Sequence, residues 1–276
     1  MTLLTLTSDI GNQDYLVGAM KAQLSQINPG FTIVDISHNI PPFNYPHAAY
    51  VCRSAIKNFP EFTYHIILVN LFEQKPGNLL LAFHNNQYIF CADNGLLTMI
   101  LGQKPEMVIG IPLDNKEQKN TINCITTIGK VINQLVNGES VKNIGNPDIK
   151  YLEKNPLKAF ASEKSIEGQI IFIDNFENVI VNITREEFES ERKGRKFRIE
   201  FKRDEVIENI SESYADVKEG EKLALFNSAG YLEIAINKGN AAGLFGLKGF
   251  SNKPPRQVSS ILQNQVFYQT VRVYFD

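Results

Sequence analysis

The residues of this chain that could do chemistry are carboxylates, amides and hydroxyls set at the ends of apolar runs. Asp9 follows the β-rich run Leu3-Leu4-Thr5-Leu6-Thr7-Ser8 and opens a short polar turn. A helical pattern then begins, with Leu16, Met20 and Leu24 one above the other. In open α/β sheets ligands bind beyond the carboxyl ends of the strands, so a carboxylate there is placed to hold a polar ligand. The duller role for Asp9 or Asp14 is to cap the helix. Asp174-Asn175-Phe176-Glu177-Asn178 interrupts two apolar strands, with Asn182 shortly after; the alternative is an ordinary β-turn. Asn227-Ser228-Ala229-Gly230 leads through Tyr231-Leu232-Glu233-Ile234-Ala235-Ile236 to the small residues Ala241-Ala242. Exposed amides at such a helix start favour a carboxylate, and again the alternative is a hairpin.

Other chemistries are not signalled. His38 and His84 lie in turns, His47 starts a helix and His65 lies within a strand; each is more often structural than catalytic. There is no CxxC and no paired-histidine spacing, so no metal site is expected. Neither GxGxxG nor GxxxxGK[ST] is present, and there is no GxSxG. The charge is balanced, 28 basic against 30 acidic residues, which gives no reason to expect nucleic acid or an anionic membrane as partner. No apolar run approaches a membrane span, and the N-terminus lacks a signal-peptide pattern. Cys52, Cys91 and Cys124 are odd in number, far apart and in apolar surroundings, which reads as reduced core thiols in a cytoplasmic protein.

The elements that must position these groups divide into two kinds. Over residues 1–145, strands at Phe31 to Ile36, Tyr64 to Val69 and Met107 to Ile111 alternate with helices at His47 to Lys57, Leu96 to Leu101 and Ile125 to Val136. Leu79 to Phe83 and Tyr88 to Cys91 read as a hairpin around His84-Asn85-Asn86. This is an α/β N-terminal domain with a mostly parallel sheet and flanking helices. Residues 146–165, marked by Asn146-Pro147 and Asn155-Pro156, read as a linker. Over 166–276 the strands are short: Gly168 to Asp174, Asn178 to Ile183, Lys196 to Phe201, Lys222 to Phe226, Tyr231 to Ile236 and Gln265 to Tyr274, with a charged helix from Thr184. That spacing predicts a smaller β-barrel-like C-terminal domain.

Taken in order, several stretches resemble one family: Thr7-Ser8-Asp9-Ile10-Gly11 with Asp14 and Val17-Gly18-Ala19-Met20-Lys21; Ile33-Val34-Asp35-Ile36-Ser37-His38 with Pro41-Pro42; Asp93-Asn94-Gly95-Leu96-Leu97; Asp174 to Asn178; and Asn227-Ser228 with Leu232-Glu233-Ile234-Ala235. The family is the S-adenosylmethionine (SAM) hydroxide adenosyltransferases, relatives of fluorinase and chlorinase, and the resemblance covers nearly the whole chain. It implies a homotrimer with SAM held between the N-terminal domain of one subunit and the C-terminal domain of the next. SAM or adenosine is then the ligand, with no cofactor beyond SAM itself. By that analogy Asp9 holds the ribose hydroxyls, Asp174 the methionine ammonium, Ser228 its carboxylate and Asn178 the adenine edge, with Tyr214 as a stacking candidate. The implied reaction displaces methionine from the ribose 5′ carbon by water or hydroxide, giving adenosine and methionine.

The resemblance fails where water would be activated. The family's Asp is replaced by Asn70, its Arg by Gly77 and its His by Asn123. An amide is no general base at neutral pH, and glycine offers no charge. Three readings follow. The chain binds SAM or adenosine with hydrolysis weak or lost. Or it is an active SAM hydrolase with a substitute such as Glu73, with Lys75 in the same loop, or it uses a bound anion or another nucleophile. Or it is a structural trimer whose pocket Leu71 and Phe72 have closed.

Overall fold

The computed structural model describes residues 2–73, 77–114, 116, 118–202, 205–247 and 269–276. The chain forms two compact units, Met1–Pro156 and Leu157–Asp276.

The first unit is built on a six-stranded sheet. Its elements are β1 (Thr2–Ser8), α1 (Leu16–Ile27), β2 (Phe31–Ser37), α2 (Tyr45–Ile56), β3 (Tyr64–Leu68), β4 (Asn78–His84), β5 (Gln87–Ala92), α3 (Leu96–Leu101), β6 (Met107–Pro112) and α4 (Thr121–Val136). The strand order is β2-β1-β3-β5-β4-β6. β2, β1, β3 and β5 pair in parallel, and β4 runs antiparallel to both β5 and β6. The sheet is therefore mixed, with one reversed strand. Asn85 and Asn86, both at positive φ (48° and 58°), make the two-residue turn of the β4–β5 hairpin. Apolar side chains leave both sheet faces, as a covered sheet requires. Met20, Leu24, Ile125, Ile128 and Ile132 of α1 and α4 meet Leu4, Leu6, Ile66 and Phe90 on one face. Ala48, Cys52, Leu97 and Ile100 of α2 and α3 meet Ile67, Leu80 and Ile89 on the other.

Two local expectations shift. α4 starts at Thr121, four residues before the apolar periodicity does, because Asn120 Oδ1 accepts the Asn123 N–H (2.9 Å) and nucleates the first turn. Residues 146–156, inside the stretch read as a linker, are held on the first unit. Asn146 and Gly110 exchange backbone hydrogen bonds (2.8 and 2.9 Å), Asp93 Oδ1 accepts Leu152 N–H (2.7 Å), and Lys154 N–H donates to Thr98 Oγ1 (2.9 Å).

The second unit is one antiparallel sheet that curls on itself. It contains β7 (Phe160–Ala161), β8 (Ser165–Ile173), β9 (Val179–Thr184), α5 (Arg185–Arg192), β10 (Phe197–Lys202), β11 (Glu205–Ile207), β12 (Lys222–Phe226), β13 (Tyr231–Ile236), α6 (Ala241–Leu244) and β14 (Thr270–Phe275). The order is β11-β10-β14-β8-β9-β13-β12, with β7 beside β8. A bridge from Ile210 to Ala224 of β12 brings the two edges together, so the sheet is nearly closed and barrel-like. The last strand is central rather than at an edge; the part expected over 265–268 lies outside the described residues. The capping box of α5, Thr184 with Glu187, sets a helix whose Phe188 is fully buried among Phe197, Phe226 and Phe275. Asn182, singled out as polar, serves the fold: its Oδ1 accepts Gln169 N–H (2.6 Å) and its Nδ2 donates to Leu157 O (3.0 Å).

Candidate functional site

The chain leaves β1 for β2 on one side and returns to β3 on the other, so a crevice opens between the carboxyl ends of β1 and β3. There the first unit has a cavity of about 290 Å3, lined by Asp9, Ile10, Pro42, Phe43, Leu68, Asn70, Leu71, Phe72, Glu73 and Thr121. Asp9 does not cap α1. Its Oδ2 accepts the Asn70 backbone N–H (2.8 Å), which ties the end of β1 to the loop after β3. Asp14, one residue before the N-cap Tyr15, accepts Leu16 N–H on Oδ1 (2.9 Å). Burial raises the Asp9 pKa above its ordinary value, and the hydrogen bonds from the Asn70 and Asp9 backbone only partly offset this.

A chain of polar contacts fixes the β1 end from behind. Ser8 Oγ is 2.7 Å from His38 Nδ1, His38 Nε2 is 3.2 Å from Asp35 Oδ1, and Lys21 Nζ reaches Asp35 Oδ2 (2.5 Å). Gly11 N–H donates to His38 O (2.7 Å), which ties together the two loops beside Asp9. His38 and Ser8 are both buried, which makes this constellation a brace.

Asn70 stands at φ 48°, a region that asparagine enters more readily than most residues. Its Oδ1 accepts Phe43 N–H (2.9 Å), while its buried Nδ2 has no partner. Leu71 turns into the core and Phe72 stays 44% exposed; the cavity lies open beside them. Glu73 lines the same cavity and is already engaged. Tyr45 OH donates to its Oε2, and Lys154 Nζ lies 4.0 Å from its Oε1 and 3.5 Å from the Tyr45 ring centroid. Lys75 lies outside the described residues. Gly77 and Asn123 do not line the cavity. Asn123 Nδ2 donates to Gln118 O (2.8 Å), so that side chain ties down the loop before α4.

The second unit gathers the remaining expected residues. Asp174 closes its own turn: Oδ1 accepts Phe176 N–H (2.9 Å) and Asn178 N–H (2.8 Å), and Oδ2 accepts Asn178 Nδ2 (3.0 Å). One lone pair remains on Oδ2 for a further donor. A Ser213–Asp216 capping box sets the turn that carries Tyr214, whose ring is 43% exposed and whose OH donates to Glu233 Oε1 (2.6 Å). Burial, then the Glu233 and Asp174 charges, push the Tyr214 pKa up. Asn227 Oδ1 accepts Ala229 N–H (3.0 Å) and Tyr231 N–H (3.1 Å), shaping the turn on which Ser228 is exposed.

Glu233 is the residue that sequence reasoning missed. It is 3% exposed, and the Asn227 and Asn178 side chains lie beside it with Tyr214. Burial raises its pKa, the Asp174 charge adds to this, and the three donors oppose it. The signal was there: a carboxylate inside Tyr-Leu-Glu-Ile-Ala-Ile, an otherwise uncharged strand. Among the described residues no group of three His, Cys, Asp or Glu side chains is placed to hold a metal ion. No helix of the described residues is long and apolar enough to cross a membrane.

The SAM hydroxide adenosyltransferase N-terminal domain matches residues 4–145, and the C-terminal domain of that name matches 168–252. The chain belongs to the SAM hydroxide adenosyltransferase family. It is similar to the (R)-S-adenosyl-L-methionine hydrolase of Methanocaldococcus jannaschii, 28% identical across 90% of this chain and 93% of the relative. It is also similar to the fluorinase of Actinopolyspora mzabensis, 24% identical across 89% and 94%. A crystal structure of an uncharacterized conserved protein from Thermotoga maritima shares the fold, with a TM-score of 0.79 at 24% identity over 99% of this chain and 100% of the other.

Proposed function

We propose that this chain binds SAM or adenosine and hydrolyses SAM slowly or not at all. The observation that carries the reading is one cavity holding both Asp9 and Asn70. Asp9 offers carboxylate oxygens to a pair of vicinal hydroxyls. Asn70, at the position of the family's acid, offers an amide that takes no proton at neutral pH. Gly77 supplies no charge, and Asn123 is spent on Gln118. In the second unit the free lone pair of Asp174 suits an ammonium, the exposed Ser228 hydroxyl suits a carboxylate, and Asn178 and the Tyr214 ring suit an adenine. In this reading the protein is a homotrimer whose ligand meets Asp9 of one copy and the Asp174 cluster of another. It works in the cytoplasm, where its three buried thiols stay reduced.

A second reading has its own observation. Glu73 lines the cavity and is held by Tyr45 and Lys154, so a water could be aligned on it and the sulfonium displaced. Incubation with SAM followed by chromatography, beside calorimetry with SAM and adenosine, separates these. Binding without adenosine release supports the first reading. Turnover abolished in Glu73→Gln supports the second. No binding of either compound at millimolar concentration overturns both.

A further inference from the structure

Asn70 lines the cavity beside Asp9, and its amide is only half engaged. Oδ1 accepts the Phe43 N–H (2.9 Å), while the buried Nδ2 has no partner among the described residues. Turning the amide over would set its NH2 end against the Phe43 N–H, donor against donor, so its direction is fixed. The backbone that carries it is pinned as well. Asn70 N–H donates to Asp9 Oδ2 (2.8 Å), and Glu73 N–H donates to Asn70 O (3.2 Å). Asn94, 3% exposed, donates from Nδ2 to Val69 O (2.9 Å) and Asn70 O (3.3 Å), and Leu96 N–H holds Asn94 Oδ1 (3.1 Å). The other polar side chains along the cavity differ in kind. Asp9 and Glu73, when ionised, only accept, and Thr121 does both. Asn70 is the one with two uncommitted N–H groups, buried where a missing acceptor is costly.

We propose that Asn70 is a specificity-determining residue: its pinned amide gives N–H to an oxygen on the 5′ carbon of a bound nucleoside and discriminates against sulfur there. This rests on the reading above that a nucleoside lies in this cavity, and deepens it. A hydroxyl or ether oxygen accepts such a bond well. A thioether sulfur accepts it poorly and leaves the amide unpaired in a buried place. The acid that the family carries at this position has no hydrogen to give once ionised, so the selectivity belongs to the asparagine.

The test is calorimetry or competition binding of adenosine, 5′-O-methyladenosine and 5′-methylthioadenosine to the full-length protein, wild type and Asn70→Asp. The last two compounds differ in one atom, and neither carries a charge or a hydrogen to donate at that end. Wild type should bind the ether about 10-fold more tightly than the thioether. In Asn70→Asp the donor is gone, and an ionised carboxylate repels the ether oxygen, so the two should bind equally or the thioether more tightly. A merely structural role would weaken both together and leave the ratio alone. Wild type that binds adenosine but takes the thioether as well as the ether overturns the proposal whether or not the variant folds, and leaves the nucleoside reading intact. A folded Asn70→Asp that keeps the 10-fold preference also overturns it. Wild type binding none of the three removes the nucleoside reading and this inference with it.

Discussion

Placing an acid back at position 70 tests whether Asp9 and Asn70 share one low-dielectric space. Asn70→Asp keeps the shape, the tolerance of φ 48° and the acceptor for Phe43 N–H. It loses no bond at Nδ2, because that atom has none. What changes is charge: a second carboxylate enters the cavity beside Asp9, whose Oδ2 already contacts the residue 70 backbone at 2.8 Å. At an effective dielectric near 20, two charges about 5 Å apart repel by about 3 kcal/mol, or some two pKa units. The Asp9 carboxyl, already raised by burial, is then pushed further up. A raised carboxylate pKa stabilises the fold at low pH and loses that contribution as pH rises through the folded value. The variant should therefore be less stable than wild type by about 3 kcal/mol at pH 8, where both carboxylates are charged, and by clearly less at pH 5, where the raised one takes up a proton. Urea unfolding of both proteins at the two pH values reads this directly. An equal loss at both pH values would refute the shared-cavity argument.

Three further outcomes follow. His47 and His65 are buried neutral, their pKa values lowered by desolvation from 6.5 to about 4. Each should cost about 2 kcal/mol of stability between pH 7.5 and pH 5, since the unfolded chain takes up a proton there and the folded one does not. Asp9 and Glu233 shift the other way, so wild type must be compared with His47→Gln/His65→Gln, which should lose most of the acid sensitivity; an unchanged slope contradicts the burial argument. A methyl at Gly168 would lie 2.6 Å from Ile183 Cγ1 and 2.7 Å from Val181 Cγ1, so Gly168→Ala should lower stability by about 1–3 kcal/mol in thermal or urea unfolding, and a neutral result would contradict the β8–β9 packing. Burial raises the Cys52 thiol to about 12 and the Cys124 thiol to about 11. Neither should be alkylated by iodoacetamide at pH 8 until urea unfolds the chain; rapid labelling of the native protein would contradict their placement.

Local pattern carried much of the fold. The β-rich run to Ser8 and the helix through Met20 were legible because one strand and one helical stripe suffice to mark them. The Asn85-Asn86 hairpin was legible because only a few residues tolerate its turn. What long-range pairing decides was not legible. Nothing local says that β4 lies between β5 and β6, that β14 lies between β10 and β8, or that residues 146–156 fold back on the first unit. The candidate site divides in the same way. Asp9 could be found from its place after a strand, and the Asp174–Asn178 break from its composition. The contacts that give those residues their properties join distant positions: Asn70 with Asp9, Lys154 with Tyr45 and Glu73, Glu233 with Tyr214. Glu233 was hidden because alternation along β13 treats a charged residue as outward, whereas both faces of that strand are covered.

A crystal structure grown with SAM, read for the state of the ligand, tests the loss of water activation most directly. Uncleaved SAM is expected, its ribose hydroxyls on Asp9, with the Asn70 amide near the 5′ carbon. Density for adenosine and methionine from a crystal kept at neutral pH would contradict the loss of water activation. SAM bound away from Asp9, or not at all, would contradict the site itself.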